Sequence, residues 1–185
     1  MMDAGRHPNI TLYTNAEVVA LRGSAGDFTA TVRCYPRYVD QSRCTGCGKC
    51  SEVCPVVVPN EFDVGLGARK AIYSPFAQAV PSAYIIDREN CLNDRLIVCE
   101  RCRRACERQA IDYDMQVQDV QVPVGAVIVA TGFEVFDPYA MKTYGYSVSP
   151  EVMTGIEFER MLNASGPTRG RIIRPSDRKP PKRLA

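Results

Sequence analysis

Residues 28–35 alternate strictly: Phe28, Ala30, Val32 and Cys34 are apolar, while Thr29, Thr31, Arg33 and Tyr35 stand between them. A period of two predicts a half-buried strand. Two strands are expected ahead of it, over 10–13 and 17–21, with residues 23–27 as a turn by composition. Alternation returns over 116–124. Residues 125–130 are then continuously apolar and end at Thr131 and Gly132. Such a run predicts a strand buried on both faces, as in a parallel α/β sheet. The period turns helical over 154–162, with Ile156, Phe158, Met161 and Leu162 as apolar positions. Thr154 as N-cap and Glu157 three residues on make a capping box, and Gly166 with Pro167 is the expected stop. Short strands are expected at 83–86 and 110–114, with a proline-punctuated loop over 75–81.

Between these alternating stretches lies different chemistry. Cys44, Cys47, Cys50 and Cys54, followed by Pro55, form C-x2-C-x2-C-x3-C-P, the spacing of bacterial ferredoxins that hold cubane [4Fe–4S] clusters. Cys91, Cys99, Cys102 and Cys106 form a second run with the same last two intervals and a longer opening gap of seven residues. A cubane needs four thiolates around one small body. Gly46 and Gly48 let the backbone approach it, because a residue without Cβ accepts unusual dihedrals. Cys47, Cys50 and Cys54, like Cys99, Cys102 and Cys106, stand at i, i+3 and i+7, which places each trio on one helical face. A helix starting beside one cluster then delivers its last cysteine to the other. The expected sets are Cys44, Cys47, Cys50 and Cys106 for one cluster, and Cys91, Cys99, Cys102 and Cys54 for the second. Zinc prefers paired cysteines set apart by a loop, so crowding three into seven residues argues against a zinc-stabilised module. Nothing in the chain points to disulfides of a secreted protein. The ninth cysteine, Cys34, falls on the apolar side of its strand and reads as a packing thiol.

Composition narrows the picture. The chain has 185 residues, 45% of them hydrophobic, and a net charge of +2. Eight thiolates and two oxidised cores would bring that to about −2, so the balance predicts neither nucleic acid nor an anionic membrane as partner, and the longest apolar run, near 124–130, is too short for membrane insertion. Met1, Met2, Asp3 and Ala4 lack the basic and apolar regions of a signal peptide, and reduced cytoplasm suits eight thiolate ligands. Gly65 and Gly67 read as a loop, not a phosphate cradle. Residues 168–183 carry seven Lys/Arg and one Asp, a solvated linker by composition. The single histidine, His7, sits near the chain start; no catalytic acid, base or nucleophile set can be built around it. Lys49, Arg103 and Arg104 are candidates for tuning cluster potential, or are simply outward-facing cations.

With the cysteine runs framed by 125–132, the sequence resembles the A subunit of heterodisulfide reductase, and looks like an internal piece of it. The matching stretches are 6–10, 44–63, 69–73, 127–138, 157–161 and 166–167. The resemblance implies an α+β fold: a two-cluster bacterial-ferredoxin-like module inserted in a partial FAD-binding α/β domain of thioredoxin-reductase type. The domains expected are 1–37 as a first FAD-domain segment, 38–115 as the insert, 116–165 as the return to the FAD domain, and 166–185 as a basic linker. The resemblance also implies two [4Fe–4S] clusters, FAD in the full-length family protein with Thr131 and Gly132 near it, other heterodisulfide reductase subunits, and a hydrogenase or dehydrogenase partner. As an isolated chain it would be a component of an oxidoreductase complex. A stand-alone ferredoxin-like carrier is the alternative the sheet-forming flanks disfavour. Two departures stand out. No G-x-G-x-x-G follows a strand, so the usual pyrophosphate cradle is not found in the chain. Glu107 replaces the proline that ferredoxins usually carry after the last cysteine.

Overall fold

The computed structural model describes residues 3, 5, 7–94 and 97–184. Met1, Met2 and Ala4 of the signal-peptide reading, Arg6 of the first family match, and Ala185 lie outside the described residues. In chain order the elements are β1 (Ala16–Ser24), β2 (Asp27–Cys34), α1 (Lys49–Glu52), β3 (Val57–Pro59), β4 (Ala68–Lys70), β5 (Ile72–Tyr73), β6 (Ile85–Ile86), α2 (Arg101–Ala105), β7 (Gln118–Val124) and α3 (Gly155–Leu162), with single 3-10 turns between several of them. The chain divides into two compact units, one of residues 1–57 and 70–130, the other of 58–69 and 131–185. No helix among the described residues is long and apolar enough to cross a membrane.

In the first unit, β1, β2 and β7 form a three-stranded antiparallel sheet in that order. The alternation in β2 buries Ala30 and Val32, because successive side chains of a strand point to opposite faces. Phe28 is half-buried, and so is Cys34, opposite Ala16 and Gln118. On the exposed side of the sheet Arg33 forms a two-pronged pair with Asp119. β2 and β7 are neighbours in space although both cysteine runs lie between them in sequence. Residues 38–40 and 110–112 run side by side: Val39 bridges Ile111, the Asp40 amide donates to Ala110 C=O at 2.7 Å, and the Asp112 amide donates to Tyr38 C=O at 3.1 Å. β5 and β6 pair as a second short ladder. Between these ladders Val39, Ala71, Ile72, Ile86, Ala110 and Ile111 pack with Cys50, Cys91 and Cys102 in one buried cluster.

The second unit is organised around α3. Thr154 Oγ1 accepts the Glu157 amide, and the Glu157 carboxylate accepts the Thr154 amide, so the expected capping box forms. The helix ends at Leu162, as expected, with Asn163 as C-cap, four residues before the Gly166 and Pro167 stop. Its inward side holds Met161 and, against apolar periodicity, Arg160, while Leu162 is largely exposed. Arg160 is tolerated inside because Asp63 is there: its Nε and Nη2 donate to Asp63 Oδ1 at 3.0 and 2.9 Å. Asn60 Nδ2 satisfies the other carboxylate oxygen at 2.6 Å, and the guanidinium lies 4.3 Å from the Phe62 ring centroid. Breaking such a buried pair from one side costs about 3–5 kcal/mol. Residues 166–168 pack rather than trail: Gly166 is buried and Thr168 Oγ1 donates to Met161 C=O at 2.9 Å.

Three expected strands come out differently. Residues 10–13 are irregular and largely exposed. Residues 110–114 contribute a single bridge, at Ile111. Residues 125–130 form no strand: Val127, Ile128 and Val129 are 48%, 92% and 77% exposed. A strand needs neighbours to pair its amides and cover its faces, and among the described residues no strand lies alongside this run; its one backbone contact is the Gly26 amide donating to Gly125 C=O at 3.0 Å.

Candidate metal centre

The first cysteine loop hangs from Asp40. Its carboxylate Oδ1 accepts the Ser42 amide at 2.8 Å and the Ser42 hydroxyl at 2.6 Å, holding the carboxyl below the usual carboxylate range. Its carbonyl accepts the Cys44 amide at 2.9 Å. The chain then turns through Gly46 and Gly48, whose φ angles are +70° and +87°. Both positions are left-handed, a region that L side chains enter at a cost. A Cβ at Gly46 would lie 3.0 Å from Ser82 C=O, and one at Gly48 would lie 3.3 Å from the Tyr84 hydroxyl. Gly48 caps the single turn of α1, which buries Cys50.

In the second run the long gap does a specific job. Asn93 Oδ1 accepts the Cys99 amide at 3.1 Å, so a residue inside the gap orients the loop entering α2. That helix buries Cys102 and ends with Cys106 as its C-cap. The Ala110 amide donates to Cys106 Sγ at 3.4 Å. The Tyr113 hydroxyl lies 3.0 Å from Cys102 Sγ and donates toward Cys99 C=O at 3.4 Å.

The eight thiols collect around two cavities. One, about 130 Å³, is lined by Cys44, Cys47, Cys50 and Cys106, with Tyr84 and Ile111. The other, about 20 Å³, is lined by Cys54, Cys91, Cys99 and Cys102, with Ile72 and Ile86. The fourth cysteine of each run thus lies beside the first three of the other. The route differs from the single helical face expected for each trio. α1 and α2 are one-turn helices packed against each other; Cys47 precedes α1 and Cys54 follows it, and Cys99 precedes α2. The chain crosses between sites through these short turns, not along an extended helical face. Among the described residues no group of three His, Cys, Asp or Glu closes to the spacing of a single bound ion.

Burial sets the acidity of the inner thiols. It pushes Cys50 up to about 12 and raises Cys91 and Cys102, since low polarity disfavours the thiolate. A bound metal reverses that balance, because a coordinating thiol is deprotonated outright. Loading therefore releases protons. The donor set fits iron–sulfur chemistry: soft thiols, largely apolar walls, and an amide and a hydroxyl already aimed at sulfur.

The remaining sequence candidates are placed as follows. Lys49 is ion-paired with Glu107, the residue standing where ferredoxins carry proline, so the pair ties the first run to the second. Arg103 and Arg104 are exposed and pair with Glu100; Arg104 also borders the openings beside Cys106 and Cys54. His7 Nδ1 accepts the Asn9 amide at 3.2 Å, a local contact. Thr131 and Gly132 are exposed in an irregular stretch, Gly132 at φ +79°. Spacing did not single out Tyr84, Tyr113 or Asn93. The one available signal was position: Tyr84 and Tyr113 each sit beside a short apolar stretch next to a cysteine run.

Residues 37–59 match the family model of the 4Fe-4S binding domain. The full chain is 53% identical to an iron-sulfur A subunit of the CoB–CoM heterodisulfide reductase of Methanopyrus kandleri, covering 100% of this chain and 27% of that protein. It is 47% identical to the A subunit of the H2:CoB-CoM heterodisulfide,ferredoxin reductase of Methanothermobacter thermautotrophicus, again over 100% of this chain and 27% of that protein. The chain matches part of the A subunit of heterodisulfide reductase. Identity to the A subunit of the ferredoxin:CoB-CoM heterodisulfide reductase of Methanosarcina mazei is 42%, over 100% of this chain and 23% of that protein. The chain thus spans about a quarter of the length of these heterodisulfide reductase relatives.

Proposed function

We propose that this chain is an electron-transfer module holding two [4Fe–4S] clusters, acting within a heterodisulfide reductase A-like assembly between a flavin and partner redox subunits. The observation that carries the reading is the pair of thiol-lined cavities, each with four cysteines drawn from both runs. Cys44, Cys47, Cys50 and Cys106 hold the first cluster; Cys54, Cys91, Cys99 and Cys102 hold the second. When bound, each cluster accepts and gives up one electron at a time. The protein's own residues do the rest. Gly46 and Gly48 keep the backbone close to the first set. Ile72, Ile86 and Ile111 keep apolar surface against the thiols, which limits water and lowers the local dielectric.

The direct pairing of β2 with β7 supports treating 38–115 as an insert within a sheet-forming domain. FAD is proposed for the longer protein of which the relatives are examples, with Thr131 and Gly132 nearby; other reductase subunits and a hydrogenase or dehydrogenase are the proposed partners. Anaerobic purification of the chain, with iron, sulfide, zinc and flavin assays, tests this. About eight iron and eight sulfide per chain supports the reading. Zinc without sulfide refutes it and leaves a structural module.

A further inference from the structure

The two sites are lined by similar thiols, yet only one has a side-chain hydroxyl bonded to sulfur among the described residues. At the second site the Tyr113 oxygen is 3.0 Å from Cys102 Sγ. Tyr84 lines the first site beside Cys44, Cys47 and Cys50, and no hydrogen bond joins it to a sulfur among the described residues. Tyr113 is held in place from several sides. Its ring packs against the buried cluster of Val39, Ile72 and the inner cysteines. The Arg88 guanidinium lies 5.7 Å from its centroid and 4.9 Å from that of Tyr38. Its hydroxyl also faces Cys99 C=O at 3.4 Å.

As a metal ligand, Cys102 has no proton to donate. The phenol must then be the donor, and the anionic sulfur outcompetes the more distant carbonyl for its single hydrogen. A hydrogen bond to a ligand sulfur stabilises the more negative, reduced state over the oxidised one. We propose that Tyr113 is a positioning residue that raises the reduction potential of the cluster held by Cys54, Cys91, Cys99 and Cys102, through its hydrogen bond to Cys102. At the first cluster the donor to sulfur is the Ala110 amide on Cys106, so the hydroxyl of Tyr113 adds its stabilisation of the reduced state at the second cluster alone. The inference rests on the two-cluster reading above.

The test is an EPR-monitored redox titration of the anaerobically purified full chain, as wild type, Tyr113→Phe and Tyr84→Phe. Tyr113→Phe is expected to lower the reduced-to-oxidised ratio of one cluster about tenfold at fixed poise, a shift of about 59 mV for one electron. The other cluster stays put, and Tyr84→Phe does not reproduce the shift. Unchanged potentials in a Tyr113→Phe protein with full iron and sulfide overturn the inference, as does an equal shift of both clusters. Should Tyr113→Phe not load, 3-fluorotyrosine at Tyr113 decides. It keeps the hydroxyl and makes it a stronger donor, so the potential must rise; no rise overturns the inference. A wild type that loads no cluster overturns the proposed function and this inference together. A loaded wild type with an unmoved variant overturns only the inference.

Discussion

The two thiol sites begin from the same intervals and end with different surroundings. The first site depends largely on backbone: two left-handed glycines, the Cys44 amide on Asp40 C=O, and an amide donated by Ala110 to Cys106 Sγ. The second depends on side chains: Asn93 orients the Cys99 loop, and Tyr113 reaches Cys102. The spacing of cysteines decides where thiols gather. What surrounds each sulfur is decided by the other residues, between and beyond the cysteines, and that is where the two sites are made unequal.

The largest effects should come from the crossing cysteines. In a Cys91→Ala background, where the second cluster is already lost, Cys54→Ala is expected to cost no further iron. Cys106→Ala in the same background should abolish the remaining cluster. Iron and sulfide assays read both; the opposite pattern would assign each fourth cysteine to its own run. Next come Gly46→Ala and Gly48→Ala. Each places a Cβ in a left-handed conformation, costing about 1–2 kcal/mol, and should lower occupancy of the first site while sparing the second. Equal loss at both sites would erase the contrast between backbone-built and side-chain-built sites.

Asn93→Ala removes the acceptor for the Cys99 amide, a loss of about 0.5–1.5 kcal/mol. It should speed chelator release of iron from the second site alone, measured by stopped-flow. The smallest effect belongs to Lys49 and Glu107. Their pairing raises the lysine and depresses the carboxylate. The contribution linked to Glu107 is present above its unfolded carboxylate pKa and fades as pH falls through its depressed folded value. That linked to Lys49 is present below its unfolded pKa and is lost as pH rises through its raised folded value. Both groups are exposed, so Glu107→Gln should shift the thermal midpoint barely, and by less at low pH than at neutral pH. Iron content should not change.

How much was legible in advance follows from the range of the forces. Cys44 through Cys54 announce a cluster loop because its geometry is local. β2 and β7 followed from period-two alternation, β1 from a Val-rich stretch, and α3 from a capping box contained within four residues. The docking of 58–69 onto α3 was not legible. It rests on Asp63 meeting Arg160, 97 positions away, and a charged residue inside a helix face contradicts the apolar pattern used to orient it. Residues 125–130 failed for a complementary reason: composition describes a strand that needs partners, and partners are a property of the fold. Tyr113 was invisible because an aromatic beside a short strand ordinarily packs as core, and only its 3.0 Å approach to sulfur gives it another role.

Two clusters in one chain fix the metal that the protein must carry. Anaerobically purified protein should carry about eight iron and eight acid-labile sulfide. Its reduced EPR spectrum should show two centres close enough to broaden one another. Four iron and four sulfide, with a single unbroadened signal, would mean that the chain holds one cluster and not two.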